Sequence, residues 1–188
     1  MELTRRCDYA CRILRAAYNH RDQYVSIAEI AEEEDIPYAF ARTIQHDLAK
    51  AGYVHTTRGS RGGLKLALDP NKVTILDVLC ALQGPVTISN CAADPETCTR
   101  SGRCAFNKVW QAADEVLNAL FASITLQQVF DGGTKDDFLR YVHANVANAV
   151  GLDLKALSDA GVKQPEDFMG VRSLAEGQLA HPGKYSSN

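Results

Sequence analysis

The stretch "DIPYAFARTIQHDLAKAGYVHTTRGSRGGLKLAL", residues 35–68, decides how the chain is read. Its first part has a helical pattern: Ile36, Phe40, Ile44 and Leu48 step by four along one side. Asp35 is expected to cap this helix, Pro37 suits its first turn, and Gly52 ends it in the C′ manner. Two short strands follow, expected at 53–57 and 64–68, around a flexible tip of Gly59, Ser60, Arg61, Gly62 and Gly63. Upstream, "SIAEIAEEE" reads as a helix opened by a capping box, Ser26 with Glu29. Two helices joined by a short turn at 34–37 suggest a helix-turn-helix, and the Gly/Arg hairpin behind them completes the order of a winged helix.

Working outward, residues 3–19 form a first helix with Leu3, Ala10, Ile13, Leu14 and Ala17 on one face. "TILDVLCALQG" is a short apolar helix in which Cys80 is expected to pack as a small hydrophobe. Residues 105–123 form a long helix with Trp110, Ala113, Leu117, Leu120 and Ile124 at heptad-like spacing. Such a seam needs a partner surface, and a second copy of the chain is the simplest one. A further helix is expected at 136–150, and loop and tail from about Gly161. The expected division is a winged-helix domain at 1–72, a cluster-binding loop with a dimerisation helix at 73–133, and a C-terminal extension at 134–188. The fold class is mainly α, with a two-stranded wing.

With 46% hydrophobic and 23% charged residues, the composition is that of an ordinary globular protein. No apolar run approaches the roughly 18 residues of a membrane span, and "MELTRRCDYACRIL" carries no signal core, so a cytoplasmic protein without membrane contact is expected. A net charge of -3 argues against a generic polyanion binder. Between 38 and 65, however, five basic residues (Arg42, Lys50, Arg58, Arg61, Lys65) face one acid, Asp47. A helix-turn-helix reads base edges with the exposed early residues of its second helix. Here these are Tyr38, Ala39, Arg42 and Thr43, with His46 a turn later. Arg42 can pair bidentately with guanine. Arg58 and Arg61, with Ser60 between, lie in the wing, where a narrow minor groove attracts arginine. The expected partner is double-stranded DNA with an inverted-repeat operator. No Ser/His/Asp set, phosphate loop or paired carboxylates are present and the histidines are scattered, which argues against an enzyme.

In "CAADPETCTRSGRC", residues 91–104, three cysteines sit among residues that cannot build a core. Six cysteines in a reducing compartment point to metal or redox chemistry, and thiolates suit iron–sulfur clusters or zinc. Spacings longer than C-x-x-C lean toward a cluster cradled by the loop. A zinc or thiol-only redox switch is the alternative. Cys91, Cys98 and Cys104 leave a fourth position to be filled.

The whole order resembles the Rrf2 family of bacterial transcription regulators. The matching residues are "LT" at 3 and 4, "YA" at 9 and 10, "RGSRGGLKL" in the wing, the three loop cysteines, and "ITLQQVF" at 124–130. The resemblance covers about residues 1–131. It implies a homodimeric winged-helix DNA-binding sensor of nitric oxide, redox state or iron supply with an iron–sulfur cluster, [4Fe-4S] before [2Fe-2S]. In one branch a histidine three residues after the last cysteine is a ligand; Asn107 stands there in this chain. In the NsrR-like branch an aspartate of the partner's first helix serves, and Asp8 matches it, with Arg12 one turn on. Cys11 and Cys7 are rival donors, as is an exogenous ligand.

Overall fold

A computed structural model describes residues 2–59 and 62–141. Helix α1 (Arg5–Asn19) starts behind Thr4, whose hydroxyl accepts from the Cys7 N–H. Leu3 lies outside the helix and is exposed, so it does not extend the apolar face. That face is Cys7, Ala10, Ile13, Leu14 and Ala17, all fully buried. Each large aliphatic side chain so buried contributes about 1.5–3 kcal/mol.

Helix α2 (Ile27–Glu33) opens with the expected capping box: Ser26 accepts from Glu29 N (3.1 Å) and Glu29 from Ser26 N (3.0 Å). Helix α3 (Tyr38–Lys50) differs from expectation at its start. Asp35 does not cap it; it takes φ +50° inside the turn, a conformation Asp tolerates, and Pro37 is the N-cap residue. Phe40 also departs from the apolar row. It is 60% exposed, and Ala41 takes the inward place beside Ile44 and Leu48. The small Ala side chain allows α3 close to α1. Gly52 (φ +78°) ends the helix as expected, with Gly52 N donating to Ala49 O (3.1 Å) and Tyr53 N to Leu48 O (2.9 Å), a Schellman closure.

The wing is β1 (Val54–Thr57) antiparallel to β2 (Gly63–Leu66), with Val54 opposite Leu66. Val25 adds a one-residue third strand: its N–H donates to Leu64 O (3.0 Å) and its carbonyl accepts from Leu64 N (2.8 Å). Ser60, Arg61 and everything after Tyr141 lie outside the described residues, as does most of the helix expected at 136–150 and the extension; residues 135–141 are helical.

Helix α4 (Ile75–Gln83) has a Thr74–Asp77 capping box. Its buried face is Val78, Leu79 and Leu82, and Cys80, turned away from Val78 and Leu82, is exposed rather than packed. The cysteine segment contains a one-turn helix α5 (Asn90–Ala93) and two 3₁₀ turns at Pro95–Thr97 and Ser101–Arg103. Helix α6 (Ala105–Ser123) has the expected bounds, and α7 (Leu126–Phe130) follows. The return is tightly held: Ile75 N donates to Ile124 O (2.9 Å), Leu126 N to Val73 O (2.9 Å), and Gln127 Nε2 to the Tyr18 hydroxyl (2.8 Å). Ile124 is therefore buried within its own chain rather than continuing an open seam. One hydrophobic core runs from Cys7 through Leu48 and Leu64 to Leu126. Among the described residues no helix is long and apolar enough to cross a membrane.

Gly63 tests the wing. A Cβ there would lie 2.4 Å from the Val25 carbonyl oxygen, whereas one at Gly102 would meet nothing within 4 Å. Gly63→Ala should lower stability by about 1–3 kcal/mol and Gly102→Ala should leave it near wild type, measured by urea unfolding. Equal midpoints would mean that the Val25 bridge contributes nothing.

Candidate DNA interface and cysteine centre

Tyr38, Ala39, Arg42, Thr43 and His46 lie along α3 and are all exposed. Thr43 Oγ1 donates back to Ala39 O (3.0 Å), so its proton is engaged within the helix. Asp47, the one acid among the basic residues of this region, pairs with Arg6 of α1 at 2.6 Å. That pairing offsets its repulsion of a phosphate backbone and ties α3 to α1. Arg58 is exposed at the wing tip. Between wing and helix runs an open groove of about 390 Å³, lined among others by Ser26, Tyr38, Arg42, Gln45 and Thr57. Gln45 was not singled out from the sequence, because its position follows from how the wing folds against α3.

The cysteine centre is built by α6. Asp114 accepts from the Thr87 hydroxyl (2.6 Å) and from Ile88 N (2.6 Å), and Asn118 Nδ2 donates to Val86 O (3.0 Å). These bonds fasten the segment leading to Cys91 along the helix. Asn107 is 1% exposed and is the one buried residue of α6. Its Nδ2 donates to the Cys91 carbonyl (2.5 Å), joining α5 to α6. Its Oδ1 is buried and finds no partner among the described residues, as does the Ser101 hydroxyl. Sequence reasoning weighed Asn107 only as a ligand and missed this structural bond.

Cys91, Cys98 and Cys104 are free and half-buried. Cys104 is the N-cap residue of α6 and has no side-chain cap bond, so its sulfur sits at the positive end of a 19-residue helix. The Ser89 hydroxyl, 3.6 Å from Cys91 Sγ, and next the Asn107 amide hold the Cys91 thiol below its usual range. Three cysteine sulfurs on one segment are soft donors of the kind that suits a thiophilic metal or cluster. The thiols do not, however, converge: no group of three His, Cys, Asp or Glu able to hold a metal occurs among the described residues.

On α1, Asp8 is exposed and lies 3.5 Å from Arg12. Cys7 is fully buried and its thiol donates to Gln83 Oε1 (3.2 Å). Cys11 is half-buried, and burial, then Cys7 and Asp8, push its thiol up to about 11. Of the expected seam, Trp110 is exposed while Ala113, Leu117 and Leu120 are half-buried; Phe106 and Val109, 70% and 56% exposed, extend the uncovered apolar surface beside Cys104. Cys80 opens into a cleft of about 460 Å³ with Pro85, Val86, Ala92 and Asp114.

Residues 3–132 match the family model described as "Rrf2: Iron-dependent Transcriptional regulator". The chain is 30% identical to protein rrf2 of Nitratidesulfovibrio vulgaris over 127 residues, covering 67% of this chain and 85% of that protein. It is 26% identical to the transcriptional regulator IscR of Aliivibrio salmonicida over 168 residues, covering 82% and 99%. The structure of CymR, the global cysteine regulator of B. subtilis, shares the fold with a TM-score of 0.54 at 22% identity, over 71% of this chain and 99% of that one.

The thiols should differ in reactivity. At neutral pH Cys91 carries more thiolate than an ordinary cysteine, whereas Cys11 stays protonated until well above its usual range. Timed iodoacetamide labelling of metal-free protein, read by peptide mass spectrometry, should modify Cys91 early and Cys11 and Cys7 last. Labelling of Cys11 as fast as Cys91 would contradict the burial of α1's inner face.

Proposed function

Because the chain belongs to the Rrf2 family of transcriptional regulators, we propose that it is a homodimeric repressor or activator whose affinity for an inverted-repeat operator is set by an iron–sulfur cluster. The reading rests on one observation above all. Three half-buried free thiols lie on a segment that α6 organises, in the chain that also presents a positively charged recognition helix and wing.

Cys91, Cys98 and Cys104 would hold the cluster, which supplies a redox-active and nitric-oxide-reactive centre when bound. Cys91 and Cys104 would offer their sulfurs from points that α6 fixes, and Cys98 from the span between them. Ser101 and Asn107 carry the unfilled hydrogen-bonding capacity that a rearranged loop can use. Asp8 is the preferred fourth ligand. The burial of Cys7 and the raised thiol of Cys11 support this choice, because a ligand must be deprotonated and reachable. In the NsrR-like branch that the sequence resembles, this aspartate comes from the partner's first helix, and the donor here would cross a two-fold interface in the same way. Trp110, Ala113, Leu117 and Leu120, with Phe106 and Val109, form that interface; so large an apolar surface is uncommon on a monomer.

Tyr38, Ala39, Arg42, Thr43 and His46 would enter the major groove and Arg58 would meet the minor groove or backbone, with Ser60 and Arg61 added from the sequence pattern alone. The sensor half spans 73–133 and the DNA-binding half 1–72.

Two measurements test the reading. Cys98→Ala purified without oxygen should lose the visible iron–sulfur absorption that the wild type shows. A colourless wild type would favour the zinc or thiol-only switch. Arg42→Ala should cost roughly 1–3 kcal/mol on a selected operator and relax one base position. An unchanged selected motif and affinity would move base reading away from α3.

A further inference from the structure

Cys91 rides on α5, a helix of four residues. That helix has no side-chain cap and none of its residues is fully buried. Its own backbone bonds run from Ala92 N and Ala93 N to Ser89 O (3.1 and 3.3 Å) and from Asp94 N to Asn90 O (2.8 Å). A single turn does not hold itself in water, because nucleation fixes several residues for very few hydrogen bonds. What places Cys91 must therefore come from outside α5.

Asn107 is that support. It stands at the third position of α6, is 1% exposed, and its Nδ2 donates to the Cys91 carbonyl at 2.5 Å. After the Ser89 hydroxyl, at 3.6 Å, the same amide is the next group to face the Cys91 sulfur. The bonds made by Asp114 and Asn118 reach only Val86, Thr87 and Ile88, three residues or more before Cys91. They fasten the approach and leave the cysteine itself to Asn107. The residue is badly suited to be a ligand in its own right. Its N–H is engaged by a carbonyl, and an amide oxygen is a hard donor among thiolates. It is also neutral, so it can be buried at the start of α6 without the cost of an enclosed charge.

We propose that Asn107 is a positioning residue for metal binding: it fixes Cys91 against α6, so that the thiol is presented before a metal arrives. The proposal deepens the reading of the three cysteines as ligands and rests on it. It holds for a cluster and for a single thiophilic ion alike, because it concerns where one sulfur stands. Groups that orient a ligand in this way typically contribute 10–100-fold to metal affinity.

The test uses the full chain, metal-free and without oxygen, and Co²⁺ alone as the probe, whose bonds to thiolate give a charge-transfer band. Asn107→Leu keeps the side chain's bulk and removes its donor. This variant should bind Co²⁺ at least about tenfold more weakly than the wild type. Its band per bound ion should be weaker at saturation, since one thiolate is out of place; a loss of stability alone would not change that signature. Hydrogen exchange read by mass spectrometry should quicken in residues 89–94 and stay unchanged in α1 and α3. Circular dichroism checks the fold, and if Asn107→Leu unfolds, Asn107→Ala must show the same three changes. A folded variant with wild-type affinity and band, or with unchanged exchange in 89–94, overturns the proposal. So does a wild type that gives no cobalt band, and so does failure of both variants to fold, which would make Asn107 a support of the whole structure rather than of Cys91. A wild type that binds Co²⁺ but carries no iron–sulfur absorption when purified without oxygen overturns the cluster reading instead, and leaves the cobalt measurements to decide on Asn107.

Discussion

The register of α1 is the constraint on which the other elements depend. Cys7, Ala10, Ile13, Leu14 and Ala17 point inward, and α2, α3, α4 and β2 all pack on that helix. Fixing the inner face fixes the outer one. Asp8, Arg12 and Arg15 then line the side that meets the helix-turn-helix turn and solvent. A register shift of one residue would place Asp8 in the core, at a desolvation cost of several kcal/mol. The same rotation that buries the Cys7 sulfur therefore presents the Asp8 carboxylate to solvent.

Helix α6 is the second organising element, and it works by being attached at both ends. At its C-terminal end the Thr74–Thr125 bridge and the Gln127–Tyr18 bond bring the chain back to the first three helices. At its N-terminal end Asn107 holds Cys91, and Asp114 and Asn118 hold the approach to it. Cys98 has no such fastening and lies between two 3₁₀ turns. The loop thus has two cysteines at anchored points and one on the span between them.

The winged helix was legible from the sequence because its signals are local. The Ser26–Glu29 box, Gly52 past the end of α3 and the glycines around the wing each act through a few neighbouring backbone groups. The three-thiol segment was legible because polar neighbours exclude core packing. What escaped was whatever depends on a distant partner. Phe40 fits the apolar row by spacing, yet the close approach of α1 favours Ala41 there. Cys80 sits in an apolar sequence, but burial falls on Val78, Leu79 and Leu82. Glu34 looks like one of four consecutive surface acids, 32–35; only the fold brings Arg12 and Arg15 to it. Asn107 carries no local mark of its bond to Cys91.

These misses share a direction that bears on mechanism. The local signals define parts: a reading helix, a wing, a thiol loop. The long-range polar contacts define how parts are joined, and they involve few residues. Asp47 with Arg6 and Glu34 with Arg15 join α3 and its turn to α1, while Asn107 joins the thiol segment to α6. An exposed pair such as Arg6–Asp47 contributes at most about 1 kcal/mol. Glu34 is different, because a buried carboxylate that lost both arginines would stand uncompensated at a cost of about 3–5 kcal/mol. The turn therefore cannot release Glu34 freely; it can only redistribute it between Arg12 and Arg15. A buried contact with two arginines of α1 therefore fixes the start of α3 against the first helix, which is what an exposed pair such as Arg6–Asp47 could not do alone.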